Sequence, residues 1–139
     1  MNRESVIEEV FANKKNIAVV GISNKQERDS FRVAKYLTEH GFNVIPVNPA
    51  METWEGIKCY PDLLSASKDH KIQVVDIFRK SEAVVPVVEE AIKVKPDVVW
   101  MQLGVENTEG RTLAEENSIK VIMNKCIMEE HKKMNVGVA

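Results

Sequence analysis

Five short apolar, β-branched runs separated by helical patterns predict an α/β chain, a Rossmann-like doubly wound five-stranded parallel sheet with helices on both faces. The runs occupy residues 17–22, 44–47, 74–78, 98–103 and, more briefly, 120–123. They are apolar at successive positions, as strands covered on both sides must be, whereas an antiparallel sheet with one wet face would alternate. At 139 residues the chain has room for one such domain over 1–139, with its core at 16–131 and an added helix at 3–13, and not for a second.

The helices follow from a different period. In residues 81–94, Val84, Val87, Val88, Ala91 and Ile92 recur on one face while Glu82, Glu89, Glu90 and Lys93 face away. Pro86 suits the first helical position, which would leave 81–85 as a separate turn. Phe31, Ala34 and Leu37 mark a helix between the first two strands, closed near Gly41 as a C-terminal cap. A third helix is expected over 110–117. Val6, Ile7, Val10 and Phe11 place a further helix at the start of the chain, packed beside the sheet.

Composition removes several classes of function. Nineteen Lys and Arg against 21 Asp and Glu leave a formal charge of −2, without the basic excess that broad binding to nucleic acid needs. No stretch approaches the length of a membrane span, and Met-Asn-Arg-Glu-Ser opens without a signal-peptide hydrophobic region. A cytoplasmic location with no membrane partner is the expectation. Cys59 and Cys126 are far apart and His40, His70 and His131 lack ligand spacing, so reduced thiols and no metal are expected. No nucleophile elbow, Walker loop or paired-carboxylate arrangement stands out, and no catalytic residue is assigned.

In a doubly wound sheet the ligand crevice lies at the carboxyl ends of the strands, so the residues after each strand carry the functional reading. After the first come Gly21, Ile22, Ser23, Asn24 and Lys25, then Arg28, Ser30 and Arg32. Free amides, the coming helix N-terminus, three cations and two hydroxyls favour a phosphate there; a glycine that merely ends a strand beside solvated cations is the plainer reading. After the second strand, Val47-Asn48-Pro49 lacks the acidic residue that a NAD site places against the ribose. Asn48 suits a ligand with a 3′-phosphate such as coenzyme A, and Asn-Pro is equally a turn signal. After the third, Phe78, Arg79, Lys80 and Ser81 bring a ring, two cations and a helix-capping hydroxyl to the crevice, or a solvated pair beside a core ring. Gln102 and Gly104 follow the fourth strand, and Asn124 and Cys126 the fifth.

The segments Ile17-Ala18-Val19-Val20-Gly21, Val44-Ile45-Pro46-Val47-Asn48-Pro49, Val75-Asp76-Ile77-Phe78-Arg79, Val99-Trp100-Met101-Gln102-Leu103-Gly104 and Asn124-Lys125-Cys126 together resemble the small single-domain CoA-binding proteins. These in turn are similar to the N-terminal CoA-binding domain of the succinyl-CoA synthetase α subunit. The resemblance implies that residues 21–25 with Ser30 and Arg32 hold phosphates, that Val47, Asn48 and Pro49 border the adenosine, and that Phe78 and Arg79 flank the ligand. It places Gln102, Gly104, Asn124 and Cys126 on the pantetheine side. Gln26 and Asp29 stand where relatives often have proline, and Asn124 where many have aspartate; Asp29 adds a negative charge beside the phosphate turn.

The expectation is therefore a non-catalytic protein binding coenzyme A or an acyl-CoA, acting as a homo-oligomer or with a partner enzyme. The synthetase carries its phosphorylated histidine on a further domain, so ligase activity is not implied. A NAD(P)-dependent oxidoreductase or dinucleotide-binding domain is one alternative, resting on fold analogy. A thiol-redox role through a mixed disulfide between Cys126 and coenzyme A is the other; a packed, inert Cys126 is the plainer reading of that residue.

Overall fold

The structure is a computed structural model and describes residues 2–135; Met1 and residues 136–139 of the expected 1–139 domain lie outside the described residues. The five strands are β1 (Asn16–Val20), β2 (Asn43–Val47), β5 (Val74–Ile77), β6 (Val98–Met101) and β7 (Lys120–Ile122), and they form one parallel sheet in the order β2-β1-β5-β6-β7. Between β2 and β5 a two-residue hairpin, β3 (Thr53–Trp54) and β4 (Ile57–Lys58), precedes the short helix α3 (Leu63–Ser67). The remaining helices are α1 (Arg3–Asn13), α2 (Asp29–Glu39), α4 (Val84–Val94), α5 (Thr108–Glu116) and α6 (Ile127–Asn135).

Strand alternation sorts the core into two layers. Ile17, Val19, Val44, Val74, Val98 and Trp100 pack with α1, α2 and the start of α6 on one face. Ala18, Val20, Ile45, Val47, Val75, Ile77, Val99 and Met101 pack with α3, α4 and α5 on the other. The doubly wound parallel sheet expected from the apolar runs is the one found, because each run must satisfy both layers at once. The chain leaves β1 for β2 on one side and returns to β5 on the other, so the topological switch falls between β1 and β5.

Several expected boundaries move. The strands after 17 and 98 end at Val20 and Met101, since the backbone turns out of the sheet before the apolar run stops. Residues 81–83 form a separate 3-10 turn and α4 starts at Val84. Pro86 is thus the third helical residue, still within the first turn where a missing N–H costs no helical bond. Ser81 caps neither element: its hydroxyl accepts from Glu106 N at 3.0 Å while its carbonyl accepts from Asn107 Nδ2 at 2.8 Å, tying the loop after β5 to the loop after β6. The third expected helix begins two residues early, because the Asn107 side chain accepts from Gly110 N and caps α5.

Two histidines that look scattered in the sequence meet in space. His131 of α6 lies 2.7 Å by Nδ1 from the Tyr36 hydroxyl, with the Phe11, His40 and Phe42 rings around it. This aromatic cluster docks α6 onto α1 and α2, and α6 in turn supplies one wall of the crevice.

Candidate functional site

At the end of β1 the chain needs a glycine for a reason set inside the protein. Gly21 has φ +85°, its N–H continues the sheet to Val47 O at 3.0 Å, and a Cβ added there would stand 2.1 Å from Phe78 O. No other residue fits so near the end of β5. Beyond it, Ile22 is fully buried and anchors the loop in the α2 layer.

The two peptide groups that follow are oriented from outside the loop. Asn48 Nδ2 donates to Ile22 O at 2.8 Å, and Trp54 Nε1 donates to Ser23 O at 2.9 Å. In a trans peptide the carbonyl and the next N–H point in opposite directions. Fixing those carbonyls therefore turns the amides of Ser23 and Asn24 away from Asn48 and Trp54, and neither amide donates to a described residue. The same holds for the amides of Asp29 and Ser30 in the first turn of α2, whose N-cap Arg28 makes no side-chain cap bond. Four unpaired N–H groups and a helix N-terminus border one cavity of about 590 Å³. Such an arrangement attracts anions.

Ser30 lines this cavity at 6% exposure, and its hydroxyl bonds no described residue. Lys25 and Arg28 line it as exposed cations. The charge of Asp29 does not act there uncompensated, because its carboxylate pairs with Arg32, whose Nη1 also donates to Glu27 O at 2.7 Å. Arg32 lines a second cavity and not the first.

The second cavity, about 640 Å³, shares Phe78 and Asp29 with the first. Val33, Leu103, Val105 and Met128 give it apolar walls, with Leu103 68% exposed on the rim. Arg79 and Lys80 stand at its mouth. Gln102 and Cys126 also line it. Gln102 is 3% exposed and donates by Nε2 to Asp76 Oδ1 at 2.9 Å. Asp76 is wholly enclosed, and burial pushes its carboxyl well above the usual carboxylate range against the opposing pull of that hydrogen bond. Burial likewise raises the Cys126 thiol, with the charges of Asp76 and Glu129 adding to the rise and backbone amides of Glu129 and Met128 opposing it.

Of the residues singled out in the sequence, Gly21, Ile22, Ser23, Asn24, Lys25, Ser30, Asn48 and Phe78 share the first cavity, and Phe78, Arg32, Arg79, Gln102 and Cys126 share the second. Four residues line neither. Val47 is a core residue, and Ala50 and Met51 line the first cavity in place of Pro49. Gly104 donates its N–H to Asn124 Oδ1 at 2.7 Å, which uses the Asn124 side chain to close the loop after β6. Asn124, at φ +60°, faces a separate cavity of about 670 Å³ beside Arg3, Arg111 and Lys120. Asp76 and Trp54 were given no role from the sequence. A lone carboxylate inside an apolar run was the available signal for Asp76; nothing local marked Trp54. Among the described residues no group of three His, Cys, Asp or Glu side chains is arranged to hold a metal, and no helix is long and apolar enough to cross a membrane.

Residues 15–132 match the family model described as "CoA binding domain". The chain belongs to that family. This CoA-binding-domain chain is 36% identical over 125 residues to YneT of Bacillus subtilis, covering 90% of the chain and 91% of that protein. A solved structure, a hypothetical protein from Pyrococcus horikoshii OT3, superposes with a TM-score of 0.90 at 42% identity, covering 95% of this chain and 92% of that one. An ADP-forming acetate–CoA ligase of Methanocaldococcus jannaschii is 28% identical over 90% of the chain, which spans only 19% of the ligase.

Proposed function

We propose that the chain binds coenzyme A across the two cavities and acts as a binding module, a carrier, sensor or partner subunit, without a reaction of its own. The observation that carries this reading is the joining of two unlike cavities at Phe78 and Asp29. One offers unpaired amides, Lys25, Arg28 and the Ser30 hydroxyl to phosphates; the other offers apolar walls with a single buried carboxamide to a long, weakly polar arm. Coenzyme A has that division of chemistry, and its nucleotide and pantetheine ends are too far apart for one cavity. The family and the partial match to a CoA ligase point the same way. Dinucleotide binding is less well served, since Asn48 stands where a ribose-binding carboxylate belongs and spends its carboxamide on Ile22 O and Ala50 N.

Titration calorimetry with coenzyme A, acetyl-CoA and NAD tests the proposal. Saturable heat with the two CoA species and none with NAD is expected; heat with NAD alone, or with none of the three at concentrations suited to micromolar affinity, removes it. A second reading is favoured by the place of Cys126 in the second cavity: a mixed disulfide formed when the Cys126 thiolate attacks CoA disulfide and releases one CoA thiolate. Its raised thiol leaves little thiolate at neutral pH, so exchange is slow. Intact mass after exposure to CoA disulfide, compared between wild type and Cys126→Ala, separates it from reversible binding.

A further inference from the structure

We propose that Asp76 is a positioning residue: its carboxyl, enclosed beneath the second cavity, holds the Gln102 carboxamide by Nε2 and makes Oε1 the atom offered to a hydrogen-bond donor on the ligand. The inference rests on the coenzyme A reading and gives its arm a chemistry. The part of the ligand that reaches this floor brings an N–H or S–H, not a carboxylate or carbonyl.

The register of the sheet puts Asp76 between Val19 and Trp100, both fully buried. Its Oδ2 is the one enclosed side-chain oxygen or nitrogen without a partner among the described residues. A carboxyl there is a poor structural choice, because an apolar residue of similar size would fill the space with no orphaned atom. What the carboxyl does accomplish is visible at Oδ1, which accepts from Gln102 Nε2. A primary amide held by its nitrogen has its carbonyl left to use. Gln102 Oε1 accepts from no described residue, yet it is not among the enclosed orphan atoms, so it keeps an open face, and the residue lines the second cavity. The Gln102 carboxamide so held is the polar group on a floor whose walls are Val33, Val105 and Met128. An uncharged donor is the complement of such a floor.

The test measures binding of coenzyme A, acetyl-CoA and ADP by calorimetry to wild type, Asp76→Val, Asp76→Asn and Gln102→Leu. ADP lacks the arm, so its affinity is expected to stay within two-fold in all four. Coenzyme A should weaken roughly three- to ten-fold in Asp76→Val and Gln102→Leu, the scale of one neutral hydrogen bond. Asp76→Asn, whose amide oxygen can accept from Gln102 Nε2 in the place of Oδ1, should bind coenzyme A within two-fold of wild type. If acetyl-CoA weakens in parallel, the donor is an amide N–H of the arm; if only coenzyme A weakens, it is the thiol. Two results overturn the proposal: coenzyme A binding Asp76→Val and Gln102→Leu as tightly as wild type, or ADP weakening as much as coenzyme A. Absence of coenzyme A binding to wild type overturns the underlying reading and the inference with it, an outcome distinct from those two.

Discussion

Asn48 reaches across from the end of β2 and donates its side-chain amide to Ile22 O at 2.8 Å. That bond, with the Trp54 indole on the next carbonyl, aims the loop after β1. Asn48→Asp replaces the donor by an acceptor facing a carbonyl, and should cost about 1–3 kcal/mol of stability. It should also weaken coenzyme A binding by more than the stability loss explains, since the Ser23 and Asn24 amides lose their orientation. Trp54→Phe keeps a ring beside Phe31 but removes the indole N–H and part of a fully buried side chain, so it should weaken binding with a loss of about 1–3 kcal/mol. Urea denaturation and calorimetry on the same samples read both quantities.

Gly21→Ala should be far more damaging than a loop substitution ordinarily is. The new methyl would meet Phe78 O at 2.1 Å in a backbone conformation of φ +85°, so the ends of β1 and β5 must separate. A loss of more than about 2 kcal/mol is expected from combined clash and strain. A chemical denaturation curve that superposes on wild type would refute the close packing at the switch point.

The buried carboxyl sets a pH dependence of stability with a definite sign. Burial raises the folded-state pKa of Asp76 above its ordinary value of 3.8, so the folded protein holds this proton more tightly than the unfolded chain. The contribution is fully present below that ordinary value and is lost as pH rises from about 4 towards the folded pKa. Asp62 and Asp69 are shifted downward by hydrogen bonds from Ser65 and Tyr60 and act in the opposite sense, which makes the difference between proteins the useful quantity. Melting temperature of Asp76→Asn minus that of wild type should grow from pH 4 to pH 8; a flat difference contradicts the burial argument.

His131 works in the other direction. Burial, helped by His40 and Lys15, lowers its pKa below the ordinary 6.5, so the unfolded chain takes up the proton first. Its contribution is complete above about pH 7 and is lost as pH falls through 6.5 towards the folded value. His131→Phe keeps a ring against Phe11 and Phe42 and should flatten the melting curve between pH 7 and pH 5. Because α6 carries Cys126's neighbours Met128 and Glu129 into the second cavity, coenzyme A affinity should weaken over the same interval in wild type more than in the variant.

The sheet was legible because residues 17–20, 44–47, 74–77 and 98–101, Asp76 apart, are apolar on both faces, as strands covered by helices on both sides must be. The hairpin at Thr53–Lys58 was not, since two-residue strands are too short to alternate and its turn uses Glu55 and Gly56, at φ 50° and 79°, rather than Asn-Gly. Helix α3, five residues long and started by Asp62, is too brief to show a period. At the site, the residues that follow each strand were readable because the fold brings strand ends together. Which way they face was not: Asn124 turns to Gly104 N and Trp54 reaches Ser23 O, both through contacts that local sequence does not encode.

Coenzyme A binding depends on the loop amides, and amide-resolved NMR titration with coenzyme A reads them one by one. The N–H signals of Ser23, Asn24, Asp29 and Ser30 should shift first and furthest, followed by Gln102 and Leu103 along the second cavity. Shifts confined to the cavity beside Arg3, Arg111 and Lys120, with those four amides unmoved, would contradict it.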